Sequence, residues 1–189
     1  MPKTAKPTDP PTKPALPWTE LITSHTDSTY KATLGLVKLV SDKELSWKPA
    51  TGSNWMTVGQ LLEHLTNAGG ACVKGFVTGD WNMGGDGGDD ASAETALPPA
   101  EKLPAVKSVA DAIRRIEADR ATALAMVAKA GEQALATKKV GAPWNPTELL
   151  LGEQCLMMID AHLATHKAQL FYYLKLMGKP VHTGHLYGM

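Results

Sequence analysis

The sequence has 189 residues, of which 43% are hydrophobic and 20% charged, a composition ordinary for one soluble globular domain with a sizeable core. Its 19 basic and 19 acidic residues give a formal net charge of zero. The sequence has no basic stripe of the kind that binds a phosphate backbone, so we expect no nucleic-acid partner. No apolar run is long enough to span a bilayer, and Cys72 and Cys155 lie in apolar patterns typical of free buried thiols. A cytoplasmic protein with no membrane segment is therefore predicted.

The N-terminal segment, residues 1–17, has prolines at positions 2, 7, 10, 11, 14 and 17. Proline interrupts helices, so this segment is predicted to be a flexible arm. Apolar residues then recur at helical spacing from Trp18 to Val40, which predicts the first helix of a single domain over residues 18–180. His25 lies within this apolar stripe.

The second helix is predicted to begin at Thr57-Val-Gly-Gln60, which has the spacing of a capping box. Its apolar side continues to Phe76, and His64 lies at the border of that side. Residues 78–104 follow, with the run Gly-Gly-Asp-Gly-Gly-Asp-Asp and a Pro-Pro pair. Because no EF-hand spacing supports a calcium site, this stretch is predicted to be a solvated loop.

A third helix is predicted from a second capping signal, Ser108-Val-Ala-Asp111. Its apolar residues recur at helical spacing towards Gly131, where the pattern ends. The opposite side of this helix is charged, which indicates a solvated face.

The fourth helix is predicted to begin at Asn145-Pro-Thr-Glu148. This stretch combines an N-cap candidate, a proline at the first helical position and a carboxylate two residues later. The helix is expected to run to about Met177, where Gly178 stops it, and residues 181–189 form a C-terminal tail. Four amphipathic helices without a convincing strand predict an all-α four-helix bundle.

Two histidines of the fourth helix, His162 and His166, are four residues apart and therefore project from one helical face. Burying two imidazoles costs free energy unless each finds a partner, and one shared cation would partner both. The alternative is that both are buried core histidines whose ring nitrogens find hydrogen-bond partners without a metal. The pair stands in an apolar stripe that points towards the core: Cys155, Met158, Ile159, Leu170 and Tyr173.

A metal site needs a third ligand. His64 is the best candidate because it lies near the middle of the second helix, and His25 on the first helix is next. His182 and His185 lie in the C-terminal tail, where we expect solvent exposure.

Three stretches share a wider pattern: Trp47-Lys-Pro with Trp55, then Thr57-Val-Gly-Gln-Leu-Leu-Glu-His64-Leu, then His162-Leu-Ala-Thr-His166-Lys-Ala-Gln169-Leu with Tyr173-Leu-Lys-Leu-Met-Gly178. Together they resemble the DinB family, which includes YfiT-like proteins, bacillithiol S-transferases and mycothiol-dependent maleylpyruvate isomerases. The resemblance implies an up-down-down-up four-helix bundle, usually a homodimer, that holds a divalent metal on three side chains. By position, these are His64, His162 and His166.

Three imidazole ligands leave a position open for substrate, which is typical of catalytic sites, and they suit zinc or nickel. Such an ion would deprotonate a bound thiol or acidify a bound water. The sequence and the resemblance together predict a metal-dependent enzyme that activates a low-molecular-weight thiol, in the manner of an S-transferase, or water, in the manner of a hydrolase. Its substrate would be a small molecule. The alternative is a non-catalytic bundle, related to stress, that binds a metal or a small ligand.

Other catalytic motifs are absent from the sequence. It has no H-E-x-x-H peptidase motif and no paired Glu-x-x-His motifs for two irons. No general acid or base is singled out by spacing. The candidates are His25, Asp111, Asp119 and Tyr173, with Glu63 as a residue that could support His64 from behind.

Overall fold

The computed structural model describes residues 16–81 and 99–189. Most of the predicted N-terminal arm, residues 1–15, and the centre of the Gly/Asp-rich loop, residues 82–98, lie outside the described residues. The described chain is mostly helical and also contains one small sheet. Its α-helices are α1 Trp18–Val37, α2 Val58–Leu65, α3 Gly70–Thr78, α4 Val109–Thr137, α5 Leu151–Met157, α6 Ala164–Leu176 and α7 Thr183–Leu186, and its strands are β1 Lys139–Ala142 and β2 Asn145–Leu150.

Helix α1 begins at Trp18 as predicted, although Pro17 at its N-cap offers no side-chain hydrogen bond. A distant carboxylate replaces the local cap. The backbone N–H groups of Trp18 and Thr19 donate to Glu132 at 2.9 and 3.0 Å, which satisfies two of the free donors at the helix start. The helix ends at Val37, three residues before the predicted end.

The predicted capping box of α2 is confirmed. The Gln60 N–H donates to Thr57 Oγ1 at 3.2 Å, and the Thr57 N–H donates to Gln60 Oε1 at 2.7 Å. The Gln60 amide also donates to the carbonyl groups of Ala100 and Leu103, so it holds the chain where it leaves the Gly/Asp-rich stretch. The prediction of one helix continuing to Phe76 is wrong, because α2 ends at Leu65 and α3 starts only at Gly70.

Helix α4 begins where the sequence predicts. Ser108 Oγ accepts the N–H of Asp111 at 3.1 Å. The Asp111 carboxylate, however, binds Arg114 at 2.5 Å. The backbone leaves helical geometry at Gly131, with a φ of 71°, but helical structure resumes and continues to Thr137. The helix end predicted at Gly131 is therefore a kink within α4.

The predicted start of the fourth helix at Asn145 is wrong. Residues Asn145–Leu150 form β2, which pairs antiparallel with β1, and the helix begins at Leu151. The Asn145 side chain accepts the N–H of Thr147 at 3.1 Å, a local hydrogen bond that uses the same side-chain chemistry as an N-cap. The expectation that the chain has no strand is corrected for the same reason.

The C-terminal helical stretch is interrupted. Between α5 and α6, residues Met158–Leu163 form a π-helix, whose wider turn inserts an extra residue. The stretch ends at Leu176, and Gly178 follows with a φ of 76°. The five residues predicted to share its buried face are all buried: Cys155, Met158, Ile159, Leu170 and Tyr173.

The hydrophobic core lies between α1, α2, α4 and the α5–α6 stretch, and Tyr30, Leu62, Ile116 and Leu163 are among its fully buried side chains. Both cysteines are buried free thiols, as predicted. Burial raises the pKa of each thiol to about 12. Within residues 16–81 and 99–189, no helix is both long enough and apolar enough to cross a membrane.

Candidate metal centre

The three predicted histidines come together. His64 lies in the last turn of α2, His162 lies near the end of the π-helix and His166 lies in the first turn of α6. Each offers one ring nitrogen, and these atoms all lie within 4.8 Å of one another. Within the described part of the chain, this is the one group of at least three His, Cys, Asp or Glu side chains that could hold a metal ion.

The distances would suit a shared cation if the His64 and His162 rings moved slightly apart. The Nε2 atoms of His64 and His162 are 3.1 Å apart. Two nitrogen ligands about 2.0–2.1 Å from a tetrahedral ion lie roughly 3.4 Å from each other. The ring centroids are 5.1 Å apart for His64 and His162, 4.2 Å for His64 and His166, and 5.0 Å for His162 and His166.

Two of the rings are oriented by hydrogen bonds at Nδ1. His162 Nδ1 lies 2.9 Å from the carbonyl oxygen of Ala68, and His166 Nδ1 lies 3.1 Å from Gln169 Oε1. Both acceptors require a proton on Nδ1, which leaves the Nε2 lone pair free towards the centre of the cluster. Ligand histidines are commonly oriented by such hydrogen bonds.

Burial favours the neutral form of two imidazoles of the cluster, those of His64 and His166. It lowers the pKa of His64 to about 4, and the neighbouring His166 and His162 add to this effect. Burial also lowers the pKa of His166, although its hydrogen bond to Gln169 acts in the opposite direction. Neutral imidazole is the form that binds a metal, so these two rings carry a free lone pair at neutral pH.

Glu63 and Asp111, two other sequence candidates, are engaged by arginines. Arg115 on α4 binds both Glu63 oxygens at 2.6 Å and lies 3.6 Å from Asp111. The hydrogen bond from Arg114 lowers the pKa of Asp111. The Arg115–Glu63 pair joins α2 to α4, whereas the Asp111 pairs lie within α4. Glu63 does not contact His64 through a described hydrogen bond.

Asp119 and Tyr173 also have fixed partners. Asp119 accepts hydrogen bonds from the Tyr30 hydroxyl and from backbone N–H groups at the start of α3. The Tyr173 hydroxyl donates to the Met56 carbonyl at 3.0 Å and accepts from the Gln169 amide at 3.2 Å. Gln169 therefore links Tyr173 to His166, a role that its position three residues after His166 could have indicated.

The remaining histidines lie outside the cluster. The His25 imidazole is 42% exposed and pairs with Asp160 at 2.5 Å, so the expectation that it faces the core is wrong. In the tail, His182 is exposed, as expected, and His185 is half-buried. The Nδ1 atoms of these two rings accept the backbone N–H groups of Gly184 and His182.

One of the comparisons with known proteins found a match. The family model described as the DinB superfamily matches residues 25–170, a span that includes His64, His162 and His166. The comparisons with curated proteins and with solved structures found no match. The family match covers more than half of the chain, and the chain therefore belongs to the DinB superfamily.

Proposed function

We propose that this protein is a metal-dependent enzyme that holds one divalent transition ion, zinc or nickel, on His64, His162 and His166. The observation that carries the proposal is the convergence of three ring nitrogens within 4.8 Å. A set of three neutral imidazoles leaves at least one coordination position for a substrate and suits either ion. The ligand set also agrees with the one that the family resemblance implies.

The proposed reaction transfers a low-molecular-weight thiol to an electrophilic small molecule. The thiol gives up its proton, its sulfur forms a bond to the electrophilic carbon, and the leaving group departs with the bonding electron pair. The ion would supply the positive charge that lowers the pKa of the thiol. Water in place of the thiol would give a hydrolase.

An aromatic cavity that is linked to the cluster through Gln169 supports a small-molecule substrate. Its volume is about 580 Å³, and its walls include Trp55, Tyr172 and Tyr173. Gln169 also lines it, and the same side chain holds His166 from behind. We assign this cavity to the apolar part of the electrophile, because aromatic walls with few polar groups favour a flat apolar ligand.

The proposal also covers the helix order, the oligomeric state, the domain bounds and the cellular compartment. We propose the up-down-down-up order of helices and a homodimer on the basis of the family resemblance. The domain would comprise residues 18–180, between an N-terminal arm and a C-terminal tail. Free Cys72 and Cys155 favour a reducing compartment, and we propose the cytoplasm.

Replacing Trp55 with alanine is expected to raise KM for chlorodinitrobenzene, a flat aromatic electrophile, by about tenfold, because burial of part of an indole contributes roughly 1–2 kcal/mol. Metal content should not change. Tyr187→Ala provides the control, because that aromatic ring is exposed and does not line the cavity. An unchanged KM in Trp55→Ala would remove the cavity from the reaction.

Cobalt in the site provides the test of thiol activation. Adding a small thiol to the cobalt-loaded protein is expected to produce a sulfur-to-metal charge-transfer band, because a thiolate would occupy the open position. The panel should include bacillithiol, mycothiol and glutathione. If none of them changes the cobalt spectrum, the transferase proposal fails and water activation becomes the better explanation.

The alternative function is a bundle that binds a metal or a small ligand without turnover. Such a protein could also show the cobalt band, so product formation separates the two. An enzyme would consume the electrophile faster than the same concentrations of free ion and thiol. A rate equal to that of free ion and thiol would identify a binding protein.

A further inference from the structure

A buried carboxylate of α4 holds the turn between α2 and α3. Asp119 is 6% exposed. Its Oδ2 accepts the N–H groups of Gly69 and Gly70 at 3.2 and 2.9 Å, and its Oδ1 accepts the N–H of Ala71 at 2.8 Å. These donors lie at the start of α3, where backbone N–H groups lack helical partners and favour negative charge.

Tyr30 of α1 completes this arrangement. Its hydroxyl donates to Asp119 Oδ2 at 2.6 Å and accepts the N–H of Gly70 at 2.9 Å. A Cβ atom on Gly69 would collide with this hydroxyl, and one on Gly70 would collide with Asp119. The Gly-Gly pair therefore allows the turn to approach the carboxylate closely.

The same turn carries the acceptor for a candidate metal ligand. Ala68 precedes Gly69, and its carbonyl oxygen lies 2.9 Å from His162 Nδ1. The position of this carbonyl fixes both the orientation of the ring and the nitrogen that bears the proton. Displacement of the turn would therefore displace the His162 ring.

We propose that Asp119 is a positioning residue for the metal centre, which it orients through the turn at Ala68, Gly69 and Gly70. The proposal rests on the metal site of the proposed function. Asp119 contacts none of the three histidines through a described hydrogen bond, and it acts by fixing the backbone carbonyl that holds His162. Tyr30 takes part because it binds both the carboxylate and Gly70.

Asp119→Asn tests this role. The amide would place an NH₂ group against N–H donors, so at least one hydrogen bond to the turn would be lost. In the metal-free protein, we expect the imidazole nitrogen shifts of His162, measured by NMR, to change from a pure Nδ1–H tautomer to a mixture. In zinc titrations, we expect Kd to rise by about 10–100-fold, as is common when a group that orients a ligand is lost.

Leu135→Ala is the matched control for general loss of stability. Leu135 is fully buried on the same helix, but it lies sixteen residues further on, beyond the kink at Gly131. It should lower the melting temperature and leave the His162 tautomer and the zinc Kd unchanged. If Asp119→Asn does not fold, Tyr30→Phe decides the question by the same two measurements, with a smaller expected change.

The two measurements separate the outcomes. Wild-type protein that binds no zinc would refute the proposed function, whereas a change in the His162 tautomer in Asp119→Asn would still support the positioning role. Wild-type protein that binds zinc, together with an unaltered His162 tautomer and zinc Kd in the variant, would overturn the positioning role and leave the metal site intact. A change of equal size in Leu135→Ala would also overturn it.

Discussion

Replacing His64 with alanine is expected to reduce bound zinc or nickel from one ion per chain to a trace after dialysis. Two imidazoles would remain from one helical stretch, and the ligand from α2 would be lost. Because loss of a group that only orients a ligand already costs about 10–100-fold in affinity, loss of a ligand itself should cost at least about 100-fold. Elemental analysis of the dialysed protein measures this effect. His162→Ala and His166→Ala should behave in the same way.

His25→Ala is the control for the loss of a histidine. Its ring pairs with Asp160 and lies outside the cluster, so metal content should stay at the wild-type level. A circular dichroism melt of each variant shows whether the fold is retained. Full occupancy in His64→Ala would exclude α2 from the site and would leave only the pair from the C-terminal stretch.

The cluster was predictable because its main signals are local. His162 and His166 are four residues apart, and their rings still converge although His162 lies in the π-helix and His166 in α6. The capping box at Thr57 fixed the start of α2 and therefore the position of His64 on it. Local spacing and local caps are the features that a single sequence displays most clearly.

The break between α2 and α3 was not predictable from the same signals. Apolar residues continue at helical spacing through Cys72 and Phe76, and the two glycines only weaken that pattern. The hydrogen bonds that stabilise the break come from Asp119, which is 48–50 positions away in the sequence. Contacts at such separation determine where this helix ends, and they are not visible in the local sequence.

The predicted start of the fourth helix was wrong for a different reason. An asparagine followed by proline and, two residues later, glutamate matches an N-cap, but an asparagine side chain can bind a backbone N–H two residues ahead in a turn as well. Asn145 does so with Thr147, and the chain continues into β2. The true start at Leu151 has a supporting carboxylate, since Glu153 accepts the N–H of Leu150 at 2.9 Å.

Replacing Ile159 with aspartate is expected to abolish cooperative unfolding of the domain. Ile159 has no exposed surface, and its Cδ1 atom lies close to Gly69 in the turn that supports His162. Removing a buried isoleucine costs about 2–5 kcal/mol, and burying an unpaired carboxylate adds several kcal/mol. The total is comparable with the whole stability of a typical domain, about 5–15 kcal/mol, so the folded state should be lost.

Met157→Asp is the matched control, because Met157 lies two residues earlier in the same helical stretch and is 43% exposed. It introduces the same carboxylate on the solvated side, where substitutions usually change stability by less than about 1 kcal/mol. Thermal melts followed by far- and near-ultraviolet circular dichroism compare both variants with the parent. If Ile159→Asp melts like the parent, the buried face of this stretch is assigned incorrectly. His162 and His166 would then face solvent, where a shared ion would not be expected.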